Sequence, residues 1–529
     1  MSLLDRIERA GNALPDPTTL FAAGAVLVML LSQLAVSLDW QVEKTVTRDL
    51  RDADGAIVLD ARTGLPQRES ILETVRPQSL LSSDGLYWAL SSLVDNFKNF
   101  PPLAIVLVGM LGIGLADRTG FLGAALKALL LAMPSRWLTP TVVFVGVLSS
   151  MALDAGYVVL PPVAAALYAA VGRSPLAGIA AVFAGVAAGF SANLLVTSLD
   201  AILAGFTEAS AHILDAGYAV AATANLYLMI ASTFLLTGVG WAVTAFWVEP
   251  RLAGKAPEEG GPPAPQTVPG TSLTAEERRG LRSGGLAAAL TLGVMLAAIW
   301  IPGAPLYGAA PDGRFPRWVA SIIPLVFVGF FLPGLAYGVA TGRVRSDREA
   351  ARLLAESMSG MGAYIVMAFF AAQFIEYFRW SGLGEMLAIA GGQGLVAAEL
   401  PRPLLLLGFI AVVAFMNLFI GSMSAKYAFI APVFVPMFMQ VGISPELTQA
   451  GYRIGDSITN IVTPLNPYVV IILVALQRWM PRAGLGTLLA LMTPYTLAFA
   501  LAWAALLLGW LALGAPLGPG GPLVYPPSG

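Results

Sequence analysis

Apolar stretches of roughly twenty residues recur along the entire chain, and a run of about that length crosses a hydrocarbon core about 30 Å thick as a helix. They fall near residues 18–38, 101–116, 138–170, 176–196, 222–247, 283–301, 317–340, 353–378, 403–421, 428–443, 458–476 and 486–514. Several are short or interrupted, and half-spanning segments read like full spans by hydropathy, so the pattern implies about nine to twelve crossings. The stretches are continuous rather than alternating, which argues against a transmembrane β-barrel. Only 12% of the residues are charged and mean hydropathy is +0.75, whereas soluble domains are about 25% charged. The chain is an all-α polytopic membrane protein. Its amino terminus, MSLLDRIERAGNALPDP, has balanced charge and a proline break, unlike a cleaved secretory signal, so the first span is expected to be retained.

Composition also narrows function. Net charge is −2 and no basic stripe is present, so a nucleic-acid partner is not expected. Cysteine is absent, which removes disulfides and thiolate chemistry. The single histidine, His212, cannot build a His-rich metal site and reads as an ordinary loop residue. There is no H-E-x-x-H, G-x-S-x-G or Walker A motif, so an enzyme is not expected and no cofactor is implied. Without a nucleotide site, transport would draw on an ion gradient or on the membrane potential.

The whole of residues 1–529 reads as one membrane domain with two polar interruptions. Residues 249–282 are Pro/Gly-rich and read as a flexible linker. The Arg343–Arg352 segment holds four arginines, and Arg478 and Arg482 add to them. The positive-inside rule makes these cytoplasmic, and two spans separate the linker from the Arg343 loop, which puts the linker on the cytoplasmic side as well. Residues 41–88 are read as an extracytoplasmic loop. Neither polar stretch reads as a folded domain.

An internal repeat relates a first core, 130–215, to a second, 400–478. DAGYVVLPPVAAALYAAVGRSP (154–175) aligns without gaps on SAKYAFIAPVFVPMFMQVGISP (424–445). With a four-residue offset, GFSANLLVTSLD (189–200) aligns on GDSITNIVTPLN (455–466). Chance similarity between Ala/Val-rich helices is the bland alternative, against which stand the shared tyrosine, prolines and V-T-x-L core. Repeated segments interrupted by Gly and Pro point to the binding site of a secondary transporter.

Charges inside spans are expensive, about 2.5–3.5 kcal/mol each on insertion scales, and usually face a cavity or a partner. The candidates are Asp154, Asp200, Glu376, Arg379, Lys426, Arg453 and Asp456. Arg453 and Asp456 share a helical face at i and i+3 and could neutralise one another. Alternatively, Ser457, Thr459, Asn460, Thr463, Pro464, Asn466 and Pro467 supply oxygens and a broken backbone for a hard cation, leaving the arginine fork for a carboxylate. Ser191, Asn193, Thr197, Ser198 and Asp200 form the matching polar element of the first repeat, with Asp200 either a helix cap or an ion ligand. Lys426 is either a snorkelling side chain or a substrate contact near Ser424, and Glu376 with Arg379 reads as a structural ion pair.

The segments NFKNFPPLAIVLVGMLGIGLADRTG, DAGYVVLPPVAAALYAAVGRSPLAG, GFSANLLVTSLDAILAG, AAQFIEYFRWSGLG, GSMSAKYAFIAPVFVPM and YRIGDSITNIVTPLNPY resemble, in order, those of the p-aminobenzoyl-glutamate transporter (AbgT) family. The resemblance covers nearly the whole chain. It implies a homodimer in the bacterial cytoplasmic (inner) membrane, each subunit with about nine transmembrane helices, two re-entrant hairpins and an inverted repeat. It also implies movement of p-aminobenzoyl-glutamate, p-aminobenzoate-like compounds or sulfonamides, coupled to Na⁺ or H⁺. Residue by residue, Asn417, Gly421, Asp456 and Asn460 match positions assigned to Na⁺. Asp200, Ser424, Tyr427, Pro445, Arg453, Asp456 and Pro464 match positions assigned to substrate passage. Tyr427 replaces a usual tryptophan, which keeps an aromatic face but adds a hydroxyl. A di- or tricarboxylate carrier of the same broad fold is the alternative, and a membrane-embedded enzyme a remote one.

Overall fold

The computed structural model describes residues 16–49, 68–132, 134–152, 155–264, 272–463, 465–466 and 468–526; Asp154, Pro464 and Pro467 lie outside them. In chain order the principal helices are α1 (Pro17–Ser37), α2 (Pro101–Arg118), α3 (Phe121–Leu131), α4 (Leu138–Leu148), α5 (Ala155–Ala170), α6 (Pro175–Phe183), α7 (Ser198–Ala211), α8 (Leu226–Val243) and α9 (Ala275–Trp300). There follow α10 (Ile322–Ala340), α11 (Asp347–Ser359), α12 (Gly362–Trp380), α13 (Leu383–Ala397), α14 (Arg402–Asn417), α15 (Met423–Gln440), α16 (Pro445–Thr459), α17 (Val469–Gln477) and α18 (Leu485–Leu513).

By length and composition, six described helices can cross a membrane: α1, α2, α8 with its extension to Ala253, α9, α10 and α18. The count rises to eight if two bent pairs each form one span: α3 with residues 135–148, bent by 113°, and α11 with α12, bent by 45°. The expected nine spans and two hairpins go beyond what length and composition assign. Lipid-facing surface is prominent on the long helices, with Leu290, Val294, Leu497 and Leu501 all exposed. An inner layer differs sharply. Every residue of α6 is buried, as is every residue of α16 from Pro445 to Ile458.

Three stretches carry local structure that hydropathy does not show. The 41–88 stretch is not plain loop: Val42–Asp49 and Arg68–Val75 pair as an antiparallel ribbon, and a short helix follows at Ser83–Ser91. The 249–282 linker is helical at both ends. Its last residues begin α9, where Thr274 and Glu277 form a reciprocal capping box that satisfies free N–H groups of the first turn. The span read over 138–170 is broken at a 3₁₀ turn, Ser149–Ala152, between α4 and α5.

The two aligned segments end in similar turns. After α5, Gly172 (φ 70°) turns the chain while Arg173 N–H donates to Tyr168 O; after α15, Gly442 (φ 75°) does the same while Ile443 N–H donates to Phe438 O. Glycine serves here because the left-handed region is strained for residues bearing a Cβ. Ser174 and Ser444 then occupy the N-cap positions, with Pro175 and Pro445 at the first helical position, where proline's missing N–H is harmless. The first of these inner helices continues as a π-helical segment to Ala188 and the second ends at Thr459, and the next helices start at Ser198 and Val469. The helix boundaries therefore correspond without a gap. The four-residue offset that aligns the V-T-x-L segments matches residues that are structurally displaced: Gly189–Thr197 is non-helical, whereas Gly455–Thr459 is still helix.

α7 packs against α15 and α16 and so joins the first core to the second. On its other side the first core is drawn tight by Gly146 of α4 and Gly185 of the π segment. A Cβ on Gly185 would lie 2.4 Å from Val143 O, a distance no side chain tolerates.

Candidate functional site

Two interruptions, residues 189–197 and 460–468, face one another across the junction of the two cores. Each is built by side chains that replace helix hydrogen bonds. In the first, Asp200 Oδ2 accepts from Thr197 N–H (2.7 Å) and Thr197 Oγ1 (2.8 Å), which starts α7. In the second, Asn466 Oδ1 accepts from Tyr468 N–H (3.0 Å) while its amide donates to Asn460 O (3.0 Å). Asn460 Nδ2 donates to Ala187 O (3.3 Å), linking the second interruption to the end of the first inner helix.

Two ion pairs lie beside the breaks. Arg453 Nη2 meets the free oxygen of Asp200, Oδ1, at 2.5 Å, and Nη1 reaches Ser191 O at 3.4 Å. Lys426 Nζ meets Asp456 Oδ1 at 2.6 Å and also donates to Asn417 Oδ1. Lys426, Arg453 and Asp456 are at most 1% exposed and the Asp200 side chain is 8% exposed. An unpaired charge at such depth costs several kcal/mol, so each partner holds the other in place. Nearby polar atoms are left over: Arg453 Nε, Asp456 Oδ2, Ser457 Oγ, Ser191 Oγ and Asn193 Nδ2 are buried and make no hydrogen bond among the described residues.

Next to these pairs opens a cavity of about 310 Å³, lined by Ser150, Tyr157, Phe190, Ser198, Leu199, Ile202, Gly421, Met423, Ser424, Asn460, Asn466 and Tyr468. Tyr157 and Tyr468 are stacked face to face, ring centroids 3.9 Å apart and planes within 7°. Ser150 Oγ donates to Asn193 Oδ1 (2.5 Å) behind the wall. The lining offers aromatic faces, hydroxyls and amides, and among the described residues it includes no arginine or lysine.

The sequence-selected residues thus separate into groups. Ser424, Gly421 and Asn460 line the cavity. Asp200, Arg453, Asp456, Asn417, Ser191, Asn193 and Thr197 form the buried shell around it. Arg453 pairs with Asp200 rather than with its sequence neighbour Asp456, so mutual neutralisation within α16 is excluded in this arrangement. Lys426 does not snorkel; it is inside, against Asp456. Tyr427 is fully buried, its hydroxyl 2.7 Å from Thr207 Oγ1 and its ring tilted against Tyr452 at 4.3 Å, so it packs behind the site. Pro445 begins α16, eleven residues before Asp456, which is about 16 Å along a helix. The carboxyl-terminal segment covers that end: Ser444 Oγ donates to Pro522 O and Ile443 bridges Val524. Glu376 and Arg379 form the expected surface pair at 2.5 Å, and His212 bonds Tyr218 O within its loop.

Five residues were missed: Tyr157 and Tyr468 as a stacked pair, Phe190, and Thr207 with Gln449 behind Tyr427. Tyr157 stood in the aligned repeat segment, which was the available signal. No spacing rule links positions 157 and 468.

Broken inner helices, buried compensated charges and a polar-aromatic cavity between two cores, all within a shell of lipid-length helices, define a polytopic membrane transporter. Residues 2–525 match the model of the AbgT putative transporter family. The chain is 34% identical over 528 residues to the p-aminobenzoyl-glutamate transport protein of Escherichia coli K12, covering 98% of this chain and 96% of that protein. Its structure is similar to that of the Alcanivorax borkumensis YdaH transporter (TM-score 0.83, 40% identity, 96% of this chain and 100% of that one). It is also similar to Neisseria gonorrhoeae MtrF, described as illuminating a class of antimetabolite efflux pumps (TM-score 0.85, 37% identity, 98% and 100%). The chain belongs to the AbgT transporter family. It is a transporter and not an enzyme, and a bacterial-type inner membrane is consistent with these relatives.

Three of the four positions that the resemblance assigns to Na⁺, Asn417, Asp456 and Asn460, come together, but not as a cation cage, while Gly421 lies in the cavity lining. Asn417 Nδ2 donates to Asp456 O (2.7 Å), Thr459 Oγ1 (2.9 Å) and Asn460 Oδ1 (2.8 Å), while Lys426 occupies Asp456 Oδ1 and Asn417 Oδ1. A hard cation needs several free oxygens. Here an ammonium and an amide already engage nearly all of them, so the residues as arranged do not fit Na⁺.

Proposed function

We propose that this protein is an ion-coupled secondary transporter moving p-aminobenzoyl-glutamate, p-aminobenzoate-like aromatic carboxylates or sulfonamide antimetabolites across the inner membrane, as a homodimer with Na⁺ or H⁺ as coupling ion. The observation that carries the reading is the cavity between the two interruptions. The stacked Tyr157–Tyr468 pair, together with Phe190, gives the cavity an aromatic wall against which a planar ring can lie, and the hydroxyl and amide rim of Ser150, Ser198, Ser424, Asn460 and Asn466 suits amino, carbonyl and sulfonyl groups. Similarity to a p-aminobenzoyl-glutamate transport protein and to an antimetabolite efflux pump supports the same substrates. The absence of a nucleotide motif favours a gradient as the energy source. An aliphatic di- or tricarboxylate substrate is disfavoured, since it would leave the aromatic surface of Tyr157, Phe190 and Tyr468 without a partner. Purified protein in proteoliposomes should move radiolabelled p-aminobenzoyl-glutamate, p-aminobenzoate or a sulfonamide when a Na⁺ or H⁺ gradient is imposed. Flux of citrate or succinate with none of the aromatic compounds moved would refute it.

A further inference from the structure

The polar groups that line the cavity differ in what they have left to offer a ligand. Asn460 is engaged within the protein at both ends of its amide: Oδ1 accepts from Asn417 Nδ2 (2.8 Å) and Nδ2 donates to Ala187 O (3.3 Å). Asn466 is held in the same way, between Tyr468 N–H and Asn460 O. No hydrogen bond holds the hydroxyls of Ser198 and Ser424 among the described residues, so each can turn to donate or to accept. Ser150 is different. Its single hydroxyl proton has two acceptors inside the protein, Asn193 Oδ1 at 2.5 Å and Val147 O at 3.1 Å, and neither of those residues lines the cavity.

Burial keeps that proton where it is. Asn193 is 1% exposed, its Nδ2 has no partner, and its Oδ1 has no other donor among the described residues. Swinging the Ser150 proton toward a ligand would leave the whole buried amide without a hydrogen bond, which costs more than one new bond gains. Turning the amide over changes nothing at the cavity, because Nδ2 then donates to Ser150 and the hydroxyl proton passes to Val147 O. In both arrangements Ser150 shows the cavity a lone pair and no proton. Such a group sorts ligands by hydrogen-bond direction. A carboxylate, carbonyl or sulfonyl oxygen also has only lone pairs to show and is repelled, whereas an N–H group donates to it. A primary arylamine carries two such protons on a nitrogen whose own lone pair is drawn into the ring, so it donates well and accepts poorly. The aromatic wall of Tyr157, Phe190 and Tyr468 suits the ring that bears it.

We propose that Ser150 is a specificity-determining residue of this cavity: it accepts a hydrogen bond from the primary amine of an arylamine substrate, and so turns the oxygen-bearing end of that substrate toward the free hydroxyls of Ser198 and Ser424. The inference rests on the aromatic-substrate reading above and adds to it which group of the ligand meets which residue. It concerns binding alone and is independent of the coupling ion.

The test is equilibrium binding to purified protein in detergent, read by titration calorimetry with three probes: p-aminobenzoyl-glutamate, benzoyl-glutamate, which lacks only the amine, and p-nitrobenzoyl-glutamate, whose para group can only accept. The unaltered protein should bind the amine about three- to tenfold more tightly than benzoyl-glutamate, and the nitro compound no more tightly than benzoyl-glutamate. Ser150→Ala removes the acceptor, and Ser150→Cys keeps the shape while putting a weakly accepting sulfur in its place. In both variants the preference for the amine should shrink to about twofold or less. Ser198→Ala and Ser424→Ala should weaken the amino and unsubstituted compounds alike and keep the preference. A merely loosened cavity would weaken all three probes together and leave their ratios intact, so the ratio separates recognition from structure. A preference that survives both Ser150 variants, one that is lost in Ser198→Ala or Ser424→Ala instead, or an unaltered protein that binds the three compounds equally would overturn the proposal and leave the aromatic-substrate reading standing. Binding of none of the three would refute that reading and this proposal with it.

Discussion

Breaking the Arg453–Asp200 pair should reveal how strongly the two cores are held together. The pair spans α16 and α7, and the guanidinium is fully buried while the carboxylate is 8% exposed. Removing one partner of a buried pair leaves an uncompensated charge, at about 3–5 kcal/mol. Arg453→Met should fall near the lower end, because Asp200 keeps two hydrogen bonds from Thr197 through Oδ2. Asp200→Asn should fall near the upper end, because the arginine has only the Ser191 carbonyl besides, at 3.4 Å, and its Nε is already without a partner. In the double variant no charge remains, and buried pairs replaced by neutral groups are often no less stable than the original. The asparagine still offers Thr197 an acceptor, so the helix cap is weakened by about 1 kcal/mol or less. With unfolding entropies near 2.1 cal/mol/K per residue, about 1 kcal/mol shifts the midpoint of a 529-residue chain by about 1 °C. Each single variant should therefore melt about 3–5 °C lower and the double variant within about 2 °C of the parent, read by tryptophan fluorescence in detergent. A double variant as unstable as the sum of the two singles would refute coupling across the junction.

Other sites make sharper demands on function. Tyr157→Ala and Tyr468→Ala each remove one face of the stack, and an aromatic pair contributes about 0.5–1.5 kcal/mol. KM for ring-bearing substrates in a proteoliposome flux assay should rise roughly two- to tenfold, and unchanged KM in both would remove the stack from the substrate path. Tyr427→Phe deletes a buried hydroxyl bonded to Thr207, which should lower stability by about 1 kcal/mol and leave KM alone, since the ring lies behind the cavity; a selective KM change would place it in the path after all. Gly185→Ala should destabilise by about 1–3 kcal/mol through overpacking, because its Cβ would meet Val143 O at 2.4 Å. Melting at the parental temperature would mean that α4 and the π segment separate readily.

Much of the architecture was legible because lipid imposes one rule on every spanning helix. Runs such as Pro17–Ser37 and Leu485–Leu513 are apolar on all sides and long, and hydropathy finds them. The inner layer obeys a different rule. α16 carries Glu446, Thr448, Gln449, Arg453, Asp456 and Ser457, all buried, so a polarity criterion reads it as surface and places the next span at 458 instead. Its burial depends on protein partners contributed by α7, α14 and α15, and no local pattern encodes those. The aligned segments did locate the region, through S-P helix starts and V-G turns whose geometry is local. It misaligned the interruptions because V-T-x-L is conspicuous in letters while the helix ends fall elsewhere.

The same distinction bears on what the charged residues do. Of the positions matched to substrate passage whose side chains are described, Ser424 lies in the cavity wall, while Asp200, Tyr427, Arg453 and Asp456 lie one layer behind it. Arg453 cannot hold a substrate carboxylate while Asp200 holds Arg453, since its second amino group reaches only a main-chain carbonyl. For arginine to bind substrate, the pair joining the cores would have to open, and Asp200 would then keep its Thr197 contacts and remain charged. Loss of transport on altering Arg453 or Asp200 therefore has two separable origins, a lost ligand or a loosened junction. The neutral double variant distinguishes them: a protein that melts normally and still fails to transport has lost a ligand, whereas one that recovers transport along with stability needed only the junction.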